Sequence, residues 1–155
     1  MIDYSIKVFS TRMKKKIIEF LSSFSLQERA LMSRYGVDPK SIYTSVRQTA
    51  EDGLGFLLFK KSNLVGLVTS RKLNKTVATL GLLAIKPSEQ RRGYGSFLTE
   101  YLFMVAELNG IERVLGRISS ENNKAISFYK KLGFKKFAGG DGDYLISKSL
   151  VSTVD

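Results

Sequence analysis

Tyr4, Ile6 and Val8, with Ile2 ahead of them, stand at every second position between polar residues and predict an opening strand. The period then changes. Met13, Ile17, Phe20, Leu21 and Phe24 recur at helical intervals, so a helix is expected from a cap at Ser10 or Thr11 to about Ser23. Ser25 followed by Glu28 is a capping-box pattern, predicting a second helix to about Tyr35 that Gly36 closes. Asp38-Pro39 pairs an N-cap residue with a proline suited to the first helical position, which predicts a third short helix over Lys40 to Ala50.

From Asp52-Gly53, read as a turn, the pattern turns to strands. Leu54–Lys60 and Leu64–Ser70 flank a tight connection at Ser62-Asn63 and predict a hairpin. A loop with Lys72, Asn74 and Lys75 leads to Val77–Lys86, where both alternating sets are small or apolar. That predicts a strand in mid-sheet, covered on both faces. Leu98, Tyr101, Leu102, Val105 and Leu108 then mark one face of a long helix ending at Asn109-Gly110. Ile111–Ile118 reads as a strand, Glu121–Leu132 as a helix stopped by Gly133, and Phe134–Ala138 with Tyr144–Leu150 as a closing hairpin. The strand–helix–strand unit over 77–118 is expected to be parallel and right-handed. No repeat or linker divides the chain, so one domain over 1–150 with a short tail at 151–155 is expected.

Composition narrows the chemistry. The 155 residues are 43% hydrophobic and 25% charged, an ordinary globular balance. There is no cysteine and no histidine, which removes disulfides, thiolate metal sites and the commonest general base, and no metal is expected. The 25 Lys and Arg against 14 Asp and Glu give a net charge of +11. Such a surplus favours anionic partners, although a solvated basic surface accounts for it equally well. Lys14-Lys15-Lys16 is read as a solvated helix face. No apolar run is long enough to span a membrane and the first residues lack a signal-peptide core, so a cytoplasmic location is expected.

The stretch that organises the rest is Leu82–Gly95. An apolar strand ends at Lys86-Pro87, a polar turn carries Gln90, Arg91, Arg92, Gly93 and Gly95, and a helix begins. Amides at a helix start are unpaired and, with the helix dipole, favour an anion there. The turn lacks the lysine of a P-loop and the third glycine of a dinucleotide fingerprint. Gln90-Arg91-Arg92-Gly93-Tyr94-Gly95 instead resembles the Gln/Arg-x-x-Gly-x-Gly/Ala signature of the GNAT superfamily of acyl-CoA-dependent N-acyltransferases. Downstream, Asn122-x-x-Ala125-Ile126-x-Phe128-Tyr129-x-x-x-Gly133-Phe134 is similar to that family's second block, one helix and one strand later.

The resemblance implies a mixed α/β fold. Its central sheet would have six to seven mostly antiparallel strands, a parallel, splayed pair at strands four and five, and helices on both faces. It implies coenzyme A as co-substrate, in the form of acetyl-CoA. The amides of Arg91 to Gly95, with Tyr94 and Ser96 at the helix start, would hold the pyrophosphate, Gln90 would orient the turn, and Arg91 and Arg92 would reach phosphates or stay solvated. The fourth strand would carry a bulge, and Leu83, Ala84 and Ile85 would border pantetheine, with the Ile85 N–H polarising the thioester carbonyl. Asn122 would bond the coenzyme arm. Tyr129 would be the general acid for the departing thiolate; on the residues alone it reads as a core aromatic on the apolar face of its helix, beside Phe128. Phe128, Gly133 and Phe134 are read as structural.

The general base has no obvious owner. Val77–Lys86 holds no acid; Glu51, Asp52, Asp141 and Asp143 read first as solvated turn residues, and the resemblance, which implies that their regions border the acceptor groove, makes them weak candidates. The function expected is N-acetyl transfer to a primary amine of a protein, peptide or small molecule by direct attack in a ternary complex, from a monomer or homodimer. Two alternatives stay open. One is a non-catalytic acyl-CoA-binding or RNA-associated module on the same fold. The other is a transferase acting on aminoacyl-tRNA, which clustering of Lys14–Lys16, Lys60, Lys61, Arg71 and Lys72 around the acceptor groove would favour.

Overall fold

The structure, a computed structural model, describes residues 3–32, 36–140 and 142–151. Strand β1 (Tyr4–Val8) leads through a 3-10 turn at Thr11–Met13 into α1 (Lys14–Ser22), α2 (Leu26–Ala30) and α3 (Pro39–Glu51). Then come β2 (Gly53–Lys60), β3 (Asn63–Lys72), β4 (Val77–Ile85), α4 (Tyr94–Leu108), β5 (Arg113–Ser119), α5 (Asn123–Lys131), β6 (Lys135–Gly139) and β7 (Asp143–Ser149). The caps explain the helix starts. Ser10 accepts from the Arg12 N–H, Ser25 and Glu28 form a complete capping box, and Asp38 accepts from the Ser41 N–H ahead of Pro39. The helix after Ser25 is shorter than its pattern predicts, and Tyr35 lies outside the described residues.

One seven-stranded sheet runs in the order β1-β2-β3-β4-β5-β7-β6. Every neighbouring pair is antiparallel except β4 and β5. The hairpin between β2 and β3 turns on Lys61-Ser62, with Lys61 left-handed at φ 58°. Alternation along β2 sorts its side chains between two layers. Leu57 and Phe59 join Leu67 and Ala84 under α1 and α3, against Ile17, Leu21, Ile42 and Val46. Phe56 and Leu58 join Val65 and Val68 under Leu98 and Leu102 of α4. A third cluster, built on Phe103, Ile111, Val114, Phe134 and Ile146, closes the β5–β7–β6 end beneath α4 and α5.

The mid-sheet expectation for Val77–Lys86 needs correcting in one respect. β4 is the central strand by order, yet only Ala78 and Ala84 along it are buried. The reason is that β5 pairs with β4 only at Val77–Arg113, Ala78–Val114 and Thr79–Leu115. Beyond Thr79 the two parallel strands part, and the second half of β4 loses its neighbour on that side. No helix among the described residues is long and apolar enough to cross a membrane.

Candidate active site

The gap between β4 and β5 begins at a bulge. Ser70 pairs with Leu80 and Val68 with Leu83, so Gly81 and Leu82 together oppose Thr69. The Thr69 hydroxyl fills the irregularity, accepting from the Leu82 N–H at 3.0 Å. Gly81 is required there: a Cβ would overlap the Thr69 hydroxyl oxygen and stand 2.7 Å from Cγ2 of Thr49. The bulge shifts the alternation by one. Leu80, Leu83 and Ile85 all pack on the α4 side, while Leu82 and Ala84 pack under α1 and α3.

Hydrogen-bond alternation says which backbone groups face the gap. The Lys86 N–H donates to the Val65 carbonyl at 2.8 Å, so position 86 points toward β3. In an antiparallel ladder the neighbours alternate, so Ile85 and Leu83 turn their N–H and C=O away from β3, into the gap. Ala84 between them faces β3 with its backbone. The Ile85 carbonyl is already engaged by Gln90 Nε2 at 3.0 Å, which ties the turn to the strand end.

The turn itself is a ring of unspent donors. Arg91 and Gly93 are both left-handed, at φ 65° and 84°. Phe97 donates to the Gly93 carbonyl at 3.0 Å, whereas the N–H groups of Arg91, Arg92, Gly93, Tyr94, Gly95 and Ser96 donate to nothing among the described residues. Successive amides of this kind at a helix N-terminus form an anion cradle. Arg91 is exposed and has no acidic partner here, while Arg92 pairs with Glu89 at 3.4 Å. Glu89 also holds Lys60 at 3.4 Å, anchoring the turn to β2. A further anchor had no sequence signal. The hydroxyl of Tyr94 bonds that of Tyr4, ninety positions away on β1, and this contact raises the Tyr4 phenol pKa above its ordinary value.

The two sequence blocks meet at Gly95. A Cβ there would sit 3.4 Å from the Phe128 ring and 3.8 Å from Ile85, so α4, α5 and the end of β4 converge on one backbone atom. Next to Phe128, the Tyr129 ring packs edge-on to Phe128 and Phe134, with centroids at 5.0 and 5.4 Å. Its hydroxyl makes no hydrogen bond among the described residues, and burial pushes its pKa well above that of a free phenol. Asn122 caps α5 through Oδ1, which accepts from Ala125 N–H at 3.2 Å, and leaves its amide nitrogen unpaired here.

The candidate acids stand in different places. Glu51 and Asp52 are exposed at the end of α3, Asp143 pairs with Arg117 at 3.4 Å, and Asp141 lies outside the described residues. The clustering of cations around one groove that would favour a transferase acting on aminoacyl-tRNA does not form. Lys16 reaches the Ser62 carbonyl beside Lys60 and Lys61, at the opposite end of β3 from Arg71 and Lys72.

The sequence model of the Acetyltransferase (GNAT) family matches residues 16–134. The chain belongs to this family. Among GNAT relatives, it is 29% identical over 119 residues to the [ribosomal protein bS18]-alanine N-acetyltransferase of Escherichia coli K12, covering 72% of this chain and 79% of that one. It is 37% identical over 59 residues to the Salmonella typhimurium protein of the same name, spanning 38% of this chain and 40% of that protein. The fold superposes on the PaiA N-acetyltransferase of Thermoplasma acidophilum in complex with coenzyme A, with a TM-score of 0.78 at 20% identity over 95% and 99% of the two chains. The GNAT domain of S. lividans PAT gives 0.81 at 16% identity over 93% and 89%. The splayed parallel pair, the bulged fourth strand and helices on both faces thus belong to a GNAT acetyltransferase fold.

Proposed function

We propose that this GNAT acetyltransferase moves an acetyl group from acetyl-CoA to a primary amine of a protein or peptide, by direct attack within a ternary complex. The observation that carries the reading is the row of six unspent amides from Arg91 to Ser96, continuous with the Leu83 and Ile85 backbone facing the gap. A pyrophosphate fits the amides, because each N–H reaches an oxygen without desolvating a side chain. Pantetheine, an extended amide chain, fits the vacated edge of β4 as an added strand. The acceptor of those relatives, an alanine of a ribosomal protein, supports a polypeptide amine.

In this reading the amine nitrogen attacks the thioester carbonyl carbon. The Ile85 N–H, aimed into the gap, stabilises the charge that gathers on the carbonyl oxygen. The carbon–sulfur bond breaks, the thiolate takes a proton from the Tyr129 hydroxyl, and the amine loses its proton to water, which returns one to the tyrosinate. Burial raises the Tyr129 pKa, so the phenol is protonated before transfer and its tyrosinate readily recovers a proton afterwards. Gln90 holds the turn in register with Ile85, and Asn122 offers its unpaired amide nitrogen to the coenzyme arm.

Calorimetric titration with acetyl-CoA, followed by thiol release in the presence of peptides with free N-termini, tests the proposal. Saturable coenzyme binding with amine-dependent thiol release is expected. Absence of binding at high micromolar coenzyme would refute it.

A further inference from the structure

The acceptor has to approach the gap from the side that α4 and α5 do not occupy, and there the sheet is open. On β5, the side chains of Val114 and Ile118 are buried in the cluster beneath α4 and α5. Alternation therefore sends Arg113, Leu115 and Arg117 to the other face, together with their cross-strand partners Ser149, Ser147 and Leu145 on β7 and Lys135 on β6. Arg113, Arg117 and Lys135 are exposed, and Leu115 and Leu145 are half-buried, so no helix covers this half of the sheet. Arg117 is the first same-face residue of β5 past Leu115, where the pairing with β4 ends. It therefore stands at the mouth of the gap. Among the described strand positions of this face on β5, β6 and β7, Asp143 is the single acid, against three cations.

We infer that this open face is the acceptor-docking surface and that its occupant is an acidic polypeptide N-terminus, with its free amine in the gap and Asp or Glu residues following it along Arg117, Arg113 and Lys135. The inference rests on the transferase reading above. Three points support this occupant over others. Asp143 offsets part of the Arg117 charge, yet the exposed Arg113 and Lys135 leave the face cationic, so a basic peptide would meet like charge along it, whereas the carboxylates of an acidic peptide would pair with Arg113 and Lys135 and share Arg117 with Asp143. Arg117 and Arg113 are four positions apart on one strand, about 13 Å, which is also the span of four residues of an extended peptide. The cations also favour the neutral form of an incoming amine, which is the form that attacks, and this lessens the need for a carboxylate base.

The test uses the full-length protein with coenzyme A and ten-residue peptides labelled at the C-terminus, with a free N-terminal alanine. One has Asp and Glu in its first five positions, one Lys and Arg, and one Ser and Gln. Fluorescence anisotropy gives binding independently of turnover, and thiol release from acetyl-CoA gives transfer. The acidic peptide is expected to bind at least tenfold more tightly than the basic one at low salt, with the ratio shrinking as salt rises. Arg117→Glu is expected to lower acidic-peptide affinity about three- to tenfold, and Arg113→Glu/Arg117→Glu to reverse the preference, with coenzyme affinity unchanged. Equal or tighter binding of the basic peptide, no effect of either variant, or displacement of the acidic peptide by a tighter-binding RNA oligonucleotide overturns the inference. Peptide preference without any thiol release leaves the docking surface standing and sinks the transferase reading instead. Transfer with no charge preference does the reverse.

Discussion

Tyr129 shows how one residue carries two readings at once. Its ring is a core aromatic between Phe128 and Phe134, while its hydroxyl has no partner among the described residues. Replacing it with Phe keeps the packing and removes the proton. Steady-state kinetics of Tyr129→Phe are expected to show kcat lowered by about 10²–10⁴-fold with little change in the coenzyme Kd. The same variant tests the burial. Because the folded pKa is raised above the unfolded value near 10, the folded state holds the proton longer. The stability this contributes is complete below pH ~10 and is lost as pH rises from there toward the folded pKa, at up to about 1.4 kcal/mol per pH unit. Denaturant titrations above pH 10 should therefore show wild type losing stability faster than Tyr129→Phe. Thr69 is the second such residue, and its role was illegible in the sequence. Its hydroxyl matters only because a bulge thirteen positions away presents the Leu82 N–H to it. Thr69→Val leaves that donor unpaired and should cost about 1–3 kcal/mol, read as a drop in Tm.

At the scale of elements, the strand–turn–helix unit was readable because its signals are local. A proline ends the strand, glycines allow the left-handed turn, and an apolar stripe marks the helix. The sequence also placed Gln90 as the residue that orients this turn, though not by which bond. The carbonyl it holds, that of Ile85, is the last of β4, so Gln90 sets the distance between the amide cradle and the strand edge. Gln90→Ala is expected to weaken coenzyme A binding about three- to tenfold by calorimetry, with the melting temperature nearly unchanged because Gln90 lies on a partly exposed turn. The bulge behaves oppositely. Gly81→Ala forces a Cβ against Thr69 and Thr49, so the loss should appear in stability, about 1–3 kcal/mol, as well as in activity. The anchors from β1 and β2, Tyr4 and Lys60, could not be read in advance, since nothing local distinguishes a tyrosine that meets Tyr94 from one that meets solvent.

For the molecule as a whole, coenzyme A bound as proposed would bridge the edge of β4, the start of α4 and the start of α5. A ligand that binds only the folded state stabilises it by about 2.7 kcal/mol at a hundredfold excess over Kd. For a chain of this size that corresponds to a rise in Tm of roughly 5–11 °C, measurable by calorimetry with coenzyme A. The net charge of +11 acquires a location at this scale too. Lys16, Lys60 and Lys61 gather at the β2–β3 turn, Arg113, Arg117 and Lys135 lie on the open half-sheet beside the gap, and the remaining basic residues are spread over other elements. That division removes the RNA-groove clustering that the charge alone allowed.

What the sequence determined by itself was the order and type of the elements, the family and the two blocks that meet at Gly95. The elements follow from hydrophobic period, capping and turn chemistry, all of which act between residues a few positions apart, and the family from the resemblance of two motif blocks. What only the tertiary structure decided was which groups are left over: the unpaired edge at Leu83 and Ile85, the hydroxyl of Tyr129, and the side of the sheet on which Arg117 stands. Those depend on strand register and on where β5 leaves β4, and both are set by packing between segments far apart in the chain.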